Sequence, residues 1–185
     1  MTTLQFPTLH TERLFLRELN PDIYTRVMQQ FKDAEIMTFF GMQSEAELDA
    51  EKSRFLQGMT MAGKSFLYFH LLEKNSKNVI GWCGFHTWFT KHRRAEIGYV
   101  LNHDQYKGKG FMKEALPAVL KFGFENMDLH RVEALVAPGN AASLKLLLRA
   151  GFTQEGLLRQ HYFVNGKMED SAIFSLLRSE FNSGF

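Results

Sequence analysis

Residues 95–101, Ala-Glu-Ile-Gly-Tyr-Val-Leu, and residues 105–112, Gln-Tyr-Lys-Gly-Lys-Gly-Phe-Met, carry most of what this chain discloses about itself. The first run reads as a strand. The second holds a turn built on Gly108 and Gly110 that opens into a helix predicted from about Gly110 to Met127, on the helical spacing of Met112, Ala115, Leu116, Val119, Leu120 and Met127. A strand, a glycine turn and a helix start form an anion site, because the turn's amides and the first helical N–H groups have no partners within the helix. Both glycines permit backbone angles and close ligand approach that a Cβ obstructs, and Lys107 and Lys109 add positive charge. A nucleotide P-loop is excluded, since Gly110 is followed by Phe111-Met112 and not by Lys and Ser or Thr. A dinucleotide fingerprint fits poorly, with Lys113 where a third glycine or alanine belongs. A turn that merely connects strand to helix is the plain alternative.

Upstream, Arg13 to Leu19 reads as a strand, and Asn20-Pro21-Asp22 as a helix start leading to about Lys32. Ser44 and Glu47 have capping-box spacing, which predicts a second helix ending near Gly63. Ser65 to Glu73 and Val79 to Phe89, joined by a polar turn, predict an antiparallel hairpin, and the basic run Lys91 to Arg94 makes the next turn. Downstream, Arg131 to Ala137 reads as a strand and Asn140 to Arg149 as a helix capped by Asn140 and stopped at Gly151. Strand character resumes at Phe152, and Asn165-Gly166 marks a closing hairpin between Gln160–Val164 and Met168–Leu176. Pro117 inside the long helix predicts a lost hydrogen bond and a bend. The economical assembly is one α/β (α+β) domain spanning 1–185, a mixed and mostly antiparallel sheet flanked by helices.

Bulk properties set limits. The chain has 185 residues, 45% of them hydrophobic, and a net charge of +2, enough to bury roughly 70% of its surface in one core and too mildly basic to predict nucleic-acid binding. The single Cys83 makes no internal disulfide, the first ten residues lack a secretory pattern, and no apolar stretch predicts a membrane span. A cytoplasmic location is expected.

The pattern Gln-x-x-Gly-x-Gly after a strand ending Gly98-Tyr99-Val100-Leu101 resembles the acetyl-CoA pyrophosphate loop of GNAT acetyltransferases. Thr11-Glu12-Arg13-Leu14-Phe15-Leu16-Arg17, Ile80-Gly81, Asn140-x-x-Ser143 and Ala150-Gly151-Phe152 follow in that family's order, so that the likeness spans about Thr11 to Leu177. The set is most similar to the RimJ/RimL-type branch, the ribosomal-protein N-terminal acetyltransferases. This resemblance implies a sheet splayed at its central strands, acetyl-CoA as cosubstrate, no metal, an amine acceptor and a possible homodimer. It implies that the backbone of Gln105, Tyr106, Lys107, Gly108, Lys109, Gly110, Phe111 and Met112 surrounds the pyrophosphate. The pantetheine arm would pair with Tyr99, Val100 and Leu101 beside Asn140, Ser143, Leu144 and Leu147, with Lys145 and Arg149 reaching toward the phosphates.

Acetyl transfer to an amine requires a neutral nitrogen and a proton for the departing thiolate. At pH 7 roughly 10% of a peptide α-amine but under about 0.1% of a lysine side chain is neutral, so a base is useful in both cases. Glu96 is the candidate base, on a partly buried strand where burial raises a carboxylate's pKa; the alternative is a structural ion pair with Arg93, Arg94 or a neighbouring cation. The resemblance gives Ser143 the role of donor to the sulfur, against the alternative that Asn140-x-x-Ser143 only caps a helix. Two departures stand out. Leu147 occupies the position four residues before Gly151-Phe152 where many family members carry an acidic Tyr, and Tyr162, beside His161, occupies that of a glutamate in RimL-type enzymes. His161 is either a base or a packed or solvated strand residue. Acceptors from peptide N-termini to small amines remain open, as does a non-catalytic acyl-CoA-binding module.

Overall fold

In a computed structural model the chain, described for residues 6–57 and 65–182, forms one sheet between two helical layers. In chain order the elements are β1 Thr8–His10, β2 Leu14–Leu19, α1 Pro21–Gln30, α2 Asp33–Phe40, α3 Glu45–Gln57, β3 Ser65–Glu73, β4 Val79–Phe89, β5 Arg94–Leu101, α4 Phe111–Glu125, β6 Arg131–Val136, α5 Ala141–Arg149, β7 Thr153–Val164 and β8 Lys167–Leu177. The eight strands lie in the order β1-β2-β3-β4-β5-β6-β8-β7, antiparallel throughout except for the parallel β5–β6 pair.

Both faces of the sheet are covered, which explains the near-continuous apolar runs of β3 and β4. On β3, Leu67, Phe69 and Leu71 join Phe85, Ile97, Ala115, Leu116, Val119 and Leu120 in the core beneath α4, to which α5 adds Leu147. Phe66 points the opposite way, into a second core with Tyr24 and Val27 of α1, Ile36 and Phe39 of α2, and Leu48 of α3. Between these layers, Gly84 pairs with both Tyr68 and Gly98, and a Cβ added to it would lie 2.4 Å from the Tyr68 Cα and 2.5 Å from the Leu67 carbonyl oxygen. Backbone cannot yield as a side chain tip can. Gly84→Ala is therefore expected to destabilise the fold by about 1–3 kcal/mol, the cost of overpacking, read as a lower urea midpoint.

Two elements escape the sequence reading. β1 is three residues long and is defined only by its pairing with β2. α2 starts at Lys32, a poor N-cap by type, where the Glu35 carboxylate accepts from the Lys32 amide at 2.8 Å, and it stops at Gly41 in the left-handed region at φ 72°. The predicted end of the following helix near Gly63 lies outside the described residues. α4 begins at Phe111 with Gly110 as its N-cap and ends at Glu125, so Met127 follows the helix although it is buried. Pro117 interrupts nothing. Its neighbours Ala115, Leu116, Val119 and Leu120 are fully buried against the sheet, and tertiary packing of this kind outweighs one lost backbone bond. Among the described residues no helix is long and apolar enough to cross a membrane.

Candidate active site

β5 and β6 pair only through Arg94–Glu96 and Arg131–Glu133, although β5 continues to Leu101 and β6 to Val136. Past that last pair the strands diverge. The opening is a cavity of about 280 Å³ lined by Trp82, His86, Glu96 to Tyr99, Ala134 to Ala137, Asn140 and Ser143. Among the described residues the backbone groups of Tyr99 and Val100 on its β6 side have no partner strand, so an amide-rich extended arm can add itself there as a strand would.

The loop from β5 to α4 supplies the second feature. Gln105 and Tyr106 sit in a 3-10 turn, and Lys107, Gly108, Lys109 and Gly110 are exposed. Gly108 and Gly110 adopt φ 72° and 79°, which a Cβ would strain. The first helical bond of α4 runs from the Glu114 amide to Gly110 O at 3.0 Å. Among the described residues the amides of Gly108 to Met112 donate to no internal acceptor. The loop is braced from outside by Arg13, whose guanidinium donates to Lys109 O at 3.0 Å and to Glu114 at 2.6 Å while lying over the Phe111 ring. Thr11 donates to the same carboxylate at 2.5 Å. These contacts explain the Thr11-Glu12-Arg13 motif as a clamp on the loop. Of the loop's cations, Lys107 is engaged by Asp104 at 2.6 Å.

Glu96 lies at the row where the sheet opens. Burial, reinforced by the charge of Glu133, pushes its carboxyl up to about pKa 7. Neither neighbouring arginine pairs with it: Arg93 binds Asp128 and Arg94 binds Glu133. Its nearest ion-pair partner is His86 Nδ1 at 3.8 Å, and burial lowers that imidazole's pKa, keeping it neutral near pH 7. Beside them β4 bulges between His86 and Phe89, with Thr87 at φ 49°, a conformation rare for a β-branched residue.

Ser143 is not the helix cap. Asn140 is, accepting from the Ser143 amide at 3.1 Å, which leaves the Ser143 hydroxyl free of that duty. The hydroxyl lies beside that of Tyr99, whose phenol burial pushes up to about 12, an effect Ser143 offsets in part. The two oxygens are not aligned for a regular hydrogen bond, and the buried Tyr99 hydroxyl has no partner among the described residues. The sequence motif implies a role only for the Tyr99 backbone; the residue's pairing with Cys83, which turns its side chain to the α5 side, follows from strand register. Glu96 and Tyr99–Ser143 thus approach one opening from opposite faces of the sheet.

Other predicted residues are more dispersed. Leu147 is fully buried and packs beneath α5, whereas Lys145 and Arg149 are exposed on it. His161 is exposed on β7, where its Nδ1 meets Ser171 Oγ at 3.2 Å and its ring tilts against that of Tyr162. Tyr162 is half exposed, and burial, with a contribution from the Glu96 charge, raises its pKa. Sequence reasoning missed a larger cavity of about 700 Å³ on the face covered by α1–α3, lined by Tyr24, Phe40, Glu51, Arg54, Tyr68, His70 and Trp82. Trp82 borders both cavities. Only assembly of three helices against β3 and β4 creates this space, and no local motif announces it.

Residues 13–153 match the acetyltransferase (GNAT) domain family. The chain belongs to the GNAT acetyltransferases. It is 32% identical to the uncharacterized N-acetyltransferase YoaA of Bacillus subtilis over 94% of this chain and 98% of that protein. Another GNAT relative is the ribosomal protein uS5-alanine N-acetyltransferase of Escherichia coli, 30% identical over 65% of this chain and 62% of that one, in keeping with the RimJ/RimL-type likeness. The crystal structure of a spermidine N-acetyltransferase from Vibrio cholerae in complex with CoA and spermine superposes with TM-score 0.64 at 24% identity, covering 91% and 97% of the two chains, and shares the GNAT fold. The chain is accordingly an N-acetyltransferase, and membership of the family implies acetyl-CoA as donor.

Proposed function

We propose that this GNAT enzyme acetylates a primary amine that enters along the α1–α3 face, with Glu96 as its general base. The observation that carries the reading is the position of Glu96: a carboxyl with pKa raised to about 7, without a cation, at the mouth of the β5–β6 opening. A base of that pKa is half ionised near neutrality and matches a peptide α-amine of pKa about 7.7–8.0 more closely than a lysine. The β6-facing backbone edge of Tyr99 to Leu101 and the free amides around Gly108 and Gly110 fit the pantetheine arm and pyrophosphate of acetyl-CoA. When bound, acetyl-CoA supplies an activated thioester. The chain's own part is to hold that arm in the opening, take a proton at Glu96 and offer hydrogen-bond donors at Ser143 and Tyr99 on the opposite side.

For the acceptor we favour a peptide α-amine, supported by the uS5-alanine relative and by the match in pKa. A small cationic amine is the second reading, favoured by Glu47 and Glu51 on the wall of the larger cavity, where Arg54 and Tyr24 hold Glu51 at 2.5 and 2.8 Å. Thiol release from acetyl-CoA, followed across peptides with N-terminal alanine, amino acids and polyamines, tests the reading. Turnover is expected to be greatest with a peptide. Preference for a polyamine would favour the second reading, and CoA binding without turnover on any acceptor would leave a non-catalytic acyl-CoA-binding module.

A further inference from the structure

Arg94 and Glu96 on β5 face Arg131 and Glu133 on β6 in register, so a row of two arginines and a row of two glutamates share one face of the last paired rows before the sheet opens. Such a square is symmetric in principle. Either glutamate stands two residues along its own strand from one arginine and diagonally across from the other, and either has the spacing to collect both. In fact Glu133 takes both: Arg94 Nη1 donates to it at 2.6 Å and Arg131 Nε at 2.9 Å. Each arginine is fixed from its outer side as well. Arg94 lies over the Phe89 ring at 4.4 Å, while Arg131 forms a two-pronged pair with Glu155 at 2.8 and 2.5 Å, and Ser175 donates to Glu155 at 2.6 Å.

We propose that Glu133 is a positioning residue for the reaction, engaging Arg94 and Arg131 so that neither guanidinium neutralises Glu96. The inference rests on the reading of Glu96 as the base. The remaining groups facing Glu96 do not replace a cation: His86 on β4 is kept neutral near pH 7 by burial, and Tyr68 on β3 and Tyr162 on β7 are phenols whose pKa values burial raises. A carboxylate without a cation beside a second carboxylate holds its proton to higher pH, whereas an opposite charge within about 4–6 Å lowers a carboxyl pKa by roughly 1–3 units. Glu133 thus acts twice, by its own charge and by the arginines it keeps occupied.

The test is a carboxyl ¹³C NMR titration of Glu96 in the full chain, its resonance assigned by its loss in Glu96→Gln. In Glu133→Gln the freed arginines are expected to bring the Glu96 midpoint down by at least about one unit, and Glu133→Asp, which keeps the charge, to restore most of the shift. An unmoved midpoint in a folded Glu133→Gln protein overturns the proposal. If that variant does not fold, Glu155→Gln at the exposed end of the network serves instead. It leaves more of the Arg131 charge bearing on Glu133 and Glu96, so a smaller downward shift is expected and none would overturn the idea. Acid limbs of kcat/KM profiles separate the two readings. A limb that follows the NMR midpoint supports Glu96 as base; a midpoint that moves while the limb stays fixed sinks that role but leaves the control by Glu133 standing.

Discussion

Glu96→Gln is expected to lower kcat by about 10²- to 10⁴-fold, the range for loss of a general base, while the affinity for CoA stays within a factor of two or so of wild type because the loop that grips it is untouched. In the wild type the base is active when ionised, so kcat/KM should rise with pH through about 7, where the Glu96 pKa lies, and then level off. The glutamine variant should lose that limb. Stability moves in the opposite direction. The folded-state pKa of Glu96 lies above the ordinary value of 4.5, so below pH 4.5 the carboxyl is protonated in both states and folding is unaffected. As pH climbs from 4.5 to about 7 the unfolded chain ionises freely and the folded chain does not, so stability is lost across that window and the loss is complete above it. Glutamine removes this penalty. Thermal melts at pH 8 should therefore show the variant more stable than wild type, with the difference vanishing near pH 4. A less active, more stable variant is the mark of a group retained for chemistry; an equally active one removes Glu96 from the mechanism.

How much of this was legible in the sequence depends on how local each cause is. The glycine loop, the Asn140 cap and the Asn165-Gly166 turn are set by backbone conformations only a few residue types supply, and the structure has each in place. Glu96 was recognisable as the candidate base because partial burial follows from strand alternation. That it lacks a cation was not, since this depends on which of two glutamates in adjacent strands captures the arginines, and β5 and β6 are separated by the whole of α4. The same distance hid the clamp from Arg13 and Thr11 onto Glu114 and the approach of Tyr99 to Ser143. α2 went unread for a different reason: its start is capped by a carboxylate three residues on, and Lys32 carries none of the usual capping chemistry.

Gly110→Val is expected to weaken CoA binding by about a hundredfold in calorimetry, for a geometric reason. Gly110 is the N-cap of α4 at φ 79°, and a left-handed conformation costs an L-residue roughly 1–2 kcal/mol, more for a β-branched one. The loop can relieve that strain by rotating the Gly110–Phe111 peptide, which turns away an amide that has no internal acceptor among the described residues. Each hydrogen bond to a charged group contributes about 1.5–3 kcal/mol, so strain and one lost contact together account for the hundredfold. General damage has its own control. Gly166 occupies the β7–β8 turn at φ 81° with nothing within 4 Å of an added Cβ, much as Gly108 does in its loop. Gly166→Val should introduce comparable strain, lower the melting temperature similarly and leave CoA affinity unchanged, because that turn presents its amides to no ligand. Should both valines weaken CoA binding equally, or neither, the free amides at the start of α4 are not what holds the diphosphate.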